Sequence, residues 1–291
     1  MIDIFTSGLV IRALLGGTIV AVAAGIIGYF LVLRAHAFAG EAFTDIGFAG
    51  ATGAALVGAP TLSGMIVFSL LAAVGLGFLG TRVRGRDVEV GMVLSFALGT
   101  GVLFLSIYSH TNATHALGGV NILFGSLLNI GVTEIVLALA SSAAAVAVLL
   151  VVYRQLLFAS IDPAGAEARG MNTRTLSVVF LVILALMTAA CVLAVGVLLT
   201  ASLLIAPAAA AVNFTRRPTR SIALSVGIAV GITWLGLVLA VTGTGRHLPV
   251  GFFISSLAAL VYGVSLAVRR RRHSGRIEEL HHPDRETGRG E

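Results

Sequence analysis

Residues 175–197 read TLSVVFLVILALMTAACVLAVGV, a run of 23 residues without a single charged side chain. About 20 consecutive apolar residues suffice to cross the hydrocarbon core of a bilayer as a helix. The whole chain shares this character, because 57% of its 291 residues are hydrophobic and only 11% are charged. Soluble domains carry about 25% charged residues, and the mean hydropathy of this chain is +1.02. The composition therefore indicates a membrane protein.

Apolar runs of similar length recur along the chain and predict an all-α, polytopic transmembrane helical bundle. We infer about nine spans, and eight or ten remain compatible with the pattern. The predicted spans are 8–33, 38–58, 61–80, 88–108, 132–153, 175–197, 199–214, 221–243 and 250–268. The second and the seventh are the weakest, and the seventh contains Pro207, a residue that can break or kink a helix. Residues 1–268 would form one transmembrane domain, and the polar residues 269–291 a disordered cytoplasmic tail.

The basic residues predict the orientation of the chain. All 19 of them are arginines, and most cluster in alternate loops between the apolar runs, whereas the opposite loops carry only Arg246. Loops rich in Arg face the cytoplasm, which places the N-terminus outside and the C-terminus in the cytoplasm of a multi-pass protein of the cell (inner) membrane. The clusters are Arg34, Arg82–Arg86, Arg154–Arg174, Arg216–Arg220 and Arg269–Arg272. The net charge of +6 thus reflects membrane topology, and we expect no nucleic-acid partner.

Two carboxylates, Glu41 and Asp45, interrupt the second span within HAFAGEAFTDIGFAGATGAALVG, residues 36–58. A spacing of four residues puts both on one face of a helix. A charged residue at the centre of a membrane costs about 2.5–3.5 kcal/mol on insertion scales, so a proton, an Arg, water or a cation must compensate. A divalent cation would neutralise both groups and would accept their oxygen atoms as ligands. The alternative is that both residues lie solvated at the cytoplasmic interface near Arg34.

Two histidines, His110 and His115, lie on a predicted outer loop. Imidazole is a common metal ligand, so this loop could form an entry site for a metal or a docking edge for a partner protein. Loop histidines are more often simply solvated. The single cysteine, Cys191, lies within an apolar run and excludes both an intrachain disulfide and a thiolate metal cluster within one chain.

The sequence contains no lysine. The phosphate-binding loop of conventional ATPases, G-x-x-x-x-G-K-[ST], needs that lysine at the terminal phosphates. The HExxH signature of metalloproteases is also absent, and no arrangement of nucleophile and base stands out. We therefore expect that the chain is not itself a conventional ATP-driven motor, and the sequence does not favour an enzyme.

Five stretches, taken in order, resemble the permease subunits of ABC importers for zinc and manganese, the ABC-3 family. The stretches are Gly40–Ile46, Asp87–Gly91, Asn121–Leu128, Asp162–Met171 and Val197–Ala211. The corresponding family patterns are G-D-A-L-S-H-A, an acidic entry to a span that starts in the cytoplasm, Y-L-F-G-x-L, D-P-x-x-A-x-x-x-G and G-x-L-L-x-x-x-L-L-I-I-P-A-A. The resemblance covers nearly the whole predicted bundle and implies a fold similar to that of type II ABC importers.

The resemblance also implies a function and a set of partners. The chain would be the membrane-spanning permease subunit of an ATP-driven importer for a divalent transition metal, manganese or zinc, with no permanently bound cofactor. It would form a homodimer with a second permease, bind two ABC ATPase subunits, receive metal from an extracytoplasmic metal-binding protein and contact membrane lipid. The cytoplasmic segment 154–174 would couple to the ATPase through Asp162, Pro163, Glu167 and Gly170.

In this comparison Glu41 and Asp45 correspond to the family's metal-site pair, which is usually Asp followed by His. The missing imidazole removes a favoured zinc ligand and tilts the expectation toward manganese. Two other transport functions stay open. One is a proton-coupled secondary transporter that uses both carboxylates as a relay, and the other is a permease of the vitamin or siderophore ABC importers.

Overall fold

The computed structural model describes residues 8–78, 86–111, 123, 125, 131–215, 217–242 and 250–280. Within these ranges the protein is all-α, as the sequence predicts, and has ten helices. Nine are long and overlap the nine predicted spans, whereas α6 is a short helix inside the segment 154–174. The helices are α1 Gly8–Leu33, α2 Ala37–Leu56, α3 Thr61–Phe78, α4 Arg86–Thr111, α5 Val132–Ile161, α6 Pro163–Ala168, α7 Thr173–Val195, α8 Val197–Phe214, α9 Pro218–Thr242 and α10 Val250–Leu280.

Six of the described helices, namely α1, α4, α5, α7, α9 and α10, are long and apolar enough to cross a membrane by length and composition. Shorter apolar segments at Thr61–Leu76 and Leu199–Phe214 belong to α3 and α8. α2, which carries Glu41 and Asp45, falls in neither group, in line with its weaker apolar pattern. The protein is therefore a multi-pass membrane protein, while the number of nine spans stays a prediction.

α2 lies inside the bundle and packs against α3, α4, α7 and α8. Every residue from Ala39 to Thr52 except Glu41 is buried. A helix that buries its whole circumference has other protein elements on all sides. Neighbouring helices thus take the place of lipid around α2, so its polar residues need not face hydrocarbon.

Glycines allow neighbouring helices to approach closely at two crossings. A Cβ atom on Gly50 of α2 would overlap the carbonyl group of Gly64 on α3, and the reverse also holds. α1 also approaches α8 closely at a glycine, because a Cβ atom on Gly28 would overlap the carbonyl oxygen of Leu204. Small residues at helix crossings let backbones pack in direct contact within a membrane. These crossings set the spacing of α1 and α2 from their neighbours.

A glycine divides the long apolar stretch between α7 and α8. Gly196 has φ 92° and ψ 162°, in the positive-φ region that glycine adopts without steric cost. Pro207, by contrast, lies inside α8, and that helix continues to Phe214. The predicted break at Pro207 is therefore absent, a kink there stays a prediction, and the interruption between the two helices lies at Gly196.

α10 continues beyond the predicted end of the transmembrane domain at residue 268. The helix runs from Val250 to Leu280, whereas the sequence predicts a tail without a fold from residue 269. Arginine, glutamate and leucine make up most of residues 269–280, and because all three are good helix formers the helix extends past its apolar part. Residues 281–291 lie outside the described residues, so disorder there stays a prediction.

Candidate functional site

Glu41 and Asp45 lie one turn apart on α2 and on the same side of that helix. Asp45 is buried, with 6% of its surface exposed, and Glu41 is half-buried. Among the residues that the structure describes, none donates a hydrogen bond or forms an ion pair to either carboxylate. Asp45 therefore lies in the interior of the bundle, and neither acidic group has a compensating side-chain cation among the described residues.

The α2 side chains next to the pair contribute no further charge. Thr44 donates its hydroxyl to the carbonyl oxygen of Gly40 at 3.0 Å, so this hydroxyl is already engaged within α2. Phe48 lies one turn beyond Asp45, is fully buried and faces Gly101 of α4. The described part of the chain contains no group of three or more His, Cys, Asp or Glu residues that could hold a metal ion. Within the described residues, the candidate charged ligands of this site are thus the carboxylate oxygen atoms of Glu41 and Asp45.

His110 does not join the carboxylates. α2 and α4 run in the same direction, as two contacts along their interface show. These contacts join Ala49 to Gly101 and Gly53 to Phe104. His110, exposed in the last turn of α4, is therefore displaced from the level of Asp45 by about 20 Å along the helix axis. His115 lies outside the described residues, and a role of both histidines in metal entry stays a prediction.

Asp162 and Pro163 begin α6, as the sequence predicts. The backbone N–H of Gly165 donates to Oδ1 of Asp162 at 2.9 Å, and Pro163 occupies the first turn of the helix. This combination of a capping carboxylate and an N-terminal proline is typical of helix starts. Gly170, with φ 76°, follows the end of α6 and lets the chain turn toward α7.

α6 presents its polar residues outward and is anchored to the bundle on its other side. Ala166 is fully buried. The predicted coupling residues Asp162, Pro163, Glu167 and Gly170 are all exposed. Glu167 also accepts a hydrogen bond from the hydroxyl of Thr173, in the first turn of α7, at 2.9 Å. The surface of α6 is therefore available to a partner while its orientation is tied to the start of α7.

One residue with a specific tertiary environment was missed by the sequence analysis. The sequence indicates only that Arg34 lies at the cytoplasmic interface, but in the structure its guanidinium contacts Ser177 and Phe180 of α7. No local pattern could have predicted this, because Ser177 lies 143 residues away along the chain.

The chain is similar to a known protein family over most of its length. The ABC 3 transport family matches it over residues 7–269. The protein belongs to the ABC 3 transport family. The resemblance inferred from five short motifs is thereby confirmed.

Curated relatives of this ABC 3 transport family member include proteins named for manganese transport. The manganese transport system membrane protein MntC of Listeria innocua is 27% identical over 272 residues, which are 90% of this chain and 95% of that relative. The manganese import system permease protein ScaB of Streptococcus gordonii is 27% identical over 259 residues, which are 88% of this chain and 90% of that relative.

A solved structure shares the helical arrangement of this ABC 3 transport family member. It is PsaBC from Streptococcus pneumoniae in complex with Fab, in which one chain superimposes with a TM-score of 0.79 at 26% sequence identity. The match covers 91% of this chain and 93% of the other. The order and packing of the helices described above are therefore those of an ABC 3 family fold.

Proposed function

We propose that this protein is the membrane-spanning permease subunit of an ATP-driven ABC importer and that Mn²⁺ is its substrate. The observation that carries the proposal is the buried Asp45, one turn from Glu41 on a helix enclosed by the bundle. Membership of the ABC 3 transport family supports the assignment as a transporter subunit. The names of MntC and ScaB support the substrate.

Electrostatics favour a cation between Glu41 and Asp45 during transport. Like charges one turn apart on a helix repel each other, and this repulsion grows where protein and lipid replace water as the dielectric. A divalent cation bound to both carboxylates would remove the repulsion and neutralise both charges. Because Glu41 is only half-buried, it could exchange the ion with an aqueous path while Asp45 holds it deeper in the bundle.

The chemistry of the ligands favours manganese over zinc. Glu41 and Asp45 supply only oxygen atoms, which suit Mn²⁺, whereas Zn²⁺ is commonly held by imidazole and thiolate ligands. A site with two carboxylates leaves its remaining coordination positions to water or backbone carbonyls. Such a site would bind the ion without the closed ligand shell of a structural metal centre, which suits a substrate that must be released.

The proposal includes the rest of the transporter. Two copies of this permease would associate with two ABC ATPase subunits, as the family resemblance implies. ATP hydrolysis would take place on those subunits, because this chain lacks the lysine of a phosphate-binding loop. α6 would dock into each ATPase through Asp162, Pro163, Glu167 and Gly170. An extracytoplasmic metal-binding protein would deliver the ion on the opposite side of the inner membrane, with the N-terminus of the permease outside and its C-terminus in the cytoplasm.

The test is Mn²⁺ uptake by cells that carry the complete transporter with Glu41→Gln and Asp45→Asn combined. These changes keep side-chain size and remove both charges, so uptake should fall to background while the permease still co-purifies with its ATPase. Glu134→Gln is the matched control. Glu134 accepts a hydrogen bond from the backbone N–H of Gly131 at 2.9 Å, a role that Gln also fulfils, and uptake should stay normal.

Two results would contradict the proposal. Wild-type uptake in the double variant would remove Glu41 and Asp45 from the transport path. Movement of Mn²⁺ by the purified permease alone, driven by a pH gradient without ATP, would establish a proton-coupled secondary transporter instead.

A further inference from the structure

The turn between α1 and α2 is docked onto the first turns of α7 by one arginine. Nη2 of Arg34 donates to the hydroxyl of Ser177 at 3.1 Å, and the guanidinium carbon lies 5.3 Å from the ring centroid of Phe180. A cation over an aromatic ring is attracted by the negative face of that ring. Ser177 and Phe180 lie three residues apart on α7, so Arg34 contacts one continuous face of that helix.

The residues after Arg34 reinforce the same contact. The ring of His36 packs edge-on against Phe180 with centroids 5.9 Å apart, and its Nδ1 lies 2.5 Å from the carbonyl oxygen of Arg34. Between them Ala35 has φ 54°, a left-handed conformation that is uncommon for a residue other than glycine. Phe180 is fully buried. The turn is therefore held by tertiary contacts in a conformation it would not favour on its own.

The same end of α7 is tied to α6. Thr173 donates its hydroxyl to Glu167 of α6 at 2.9 Å, and the Asn172 side chain caps α7 by accepting from the backbone N–H of Thr175 at 3.1 Å. α6 thus contacts the start of α7, and the next turns of α7 contact Arg34. On the other side of the turn α2 begins at Ala37 and reaches Glu41 after one turn.

We propose that Arg34 is a positioning residue that transmits displacement of α6 and the start of α7 to α2, and so to Glu41 and Asp45. This proposal rests on the proposed function, because it assigns a route between the ATPase-docking segment and the metal path. Arg34 itself touches neither the ATPase nor the ion in this scheme. Its contribution is the rigid link between two helices that must move together for ATP hydrolysis to drive transport.

The experiment uses the complete transporter in proteoliposomes and measures two rates, Mn²⁺ uptake and ATP hydrolysis. Arg34→Ala should lower the number of ions moved per ATP by about tenfold, as expected for loss of a coupling residue, while ATP hydrolysis continues. Arg34→Lys keeps a cation over Phe180 and should retain most of the coupling. Phe180→Leu keeps an apolar side chain in the core but removes the ring, and should resemble Arg34→Ala.

Arg12→Ala is the matched control, since Arg12 is an exposed arginine near the opposite end of α1 and should leave the ratio unchanged. An unchanged ratio of ions moved to ATP hydrolysed in Arg34→Ala would overturn the proposal, whether both rates stay the same or both fall by the same factor. If Arg34→Ala does not assemble, the ratio in Phe180→Leu decides in the same way. Failure of the proposed function is distinguishable, because the wild-type transporter would then move no Mn²⁺ at all.

Discussion

Gly50 of α2 and Gly64 of α3 face each other so closely that neither position has room for a Cβ atom. The contact lies on the helix that carries Glu41 and Asp45. Without side chains between them the two backbones touch, and dispersion contacts replace the hydrophobic effect that is missing between helices in lipid. The position of the carboxylate helix relative to α3 therefore depends on two residues that carry no functional group.

A methyl group at this crossing should destabilise the protein. Gly64→Ala would push the new Cβ into the backbone of Gly50, and overpacking of this kind costs about 1–3 kcal/mol. Thermal unfolding of the purified permease in detergent measures the effect. Gly99→Ala on α4 is the control, because nothing lies within 4 Å of its Cβ position and Ala favours a helix over Gly by about 0.5–1 kcal/mol. Equal melting temperatures of the two variants would show that the crossing accommodates a side chain.

Asp45→His should shift the metal preference toward zinc. The change places an imidazole, a favoured zinc ligand, one turn from Glu41. Inhibition of Mn²⁺ uptake by added Zn²⁺ in cells with the complete transporter is the measurement, and several-fold less Zn²⁺ should suffice for half inhibition. Glu41→Asp retains two carboxylates and should leave the Zn²⁺ requirement near that of the wild type. No change in Asp45→His would mean that position 45 does not contact the ion.

The cap of α6 should be needed for docking of the ATPase. Asp162→Ala removes the acceptor for the N–H of Gly165, and loss of such a cap costs about 1 kcal/mol of helix stability. We expect weaker co-purification of the ATPase with Asp162→Ala. Asp162→Asn keeps the capping oxygen and should retain binding, so equal losses in both variants would point to the charge and not to the helix cap.

A hydrogen bond between α1 and α9 should contribute modestly to stability. Nε1–H of Trp234 donates to the hydroxyl of Thr18 at 2.8 Å. Thr18→Val keeps the side-chain shape and removes the acceptor, so the free energy of unfolding should fall by about 0.6 kcal/mol, the average for such bonds between membrane helices. Thr18→Ser keeps the hydroxyl. In a double-mutant cycle with Trp234→Phe, additive losses would show that the two side chains do not interact.

Hydropathy locates the nine long helices of the described ranges because each is apolar over most of its length. α2 marks the limit of that signal. Its apolar pattern is one of the two weakest and is interrupted by Glu41 and Asp45, yet the helix is enclosed by four other helices. Enclosure depends on which helices pack together, and that information is spread over the whole chain.

The candidate site was predictable only in part, because the local sequence shows residue type and spacing but not contacts between distant helices. Residue type and spacing single out Glu41 and Asp45, and the Asp162-Pro163 dipeptide predicts the start of α6. The partners of Arg34 could not be predicted, because Ser177 and Phe180 come from a helix far along the sequence. At Pro207 the predicted break does not occur, because a proline is tolerated within a membrane helix when its neighbours satisfy the freed carbonyl group, while a kink there stays a prediction.

The enclosure of α2 has a consequence for the order of events during synthesis. A nascent chain that has only reached Leu56 contains no partner for the polar face of α2, and a segment with two acidic residues partitions poorly into lipid at the translocon. We expect α2 to wait at the aqueous exit until α3 and α4 emerge, and to enter with them as a group. Glycosylation sites placed after Leu56 in truncated chains would report whether α2 crosses alone.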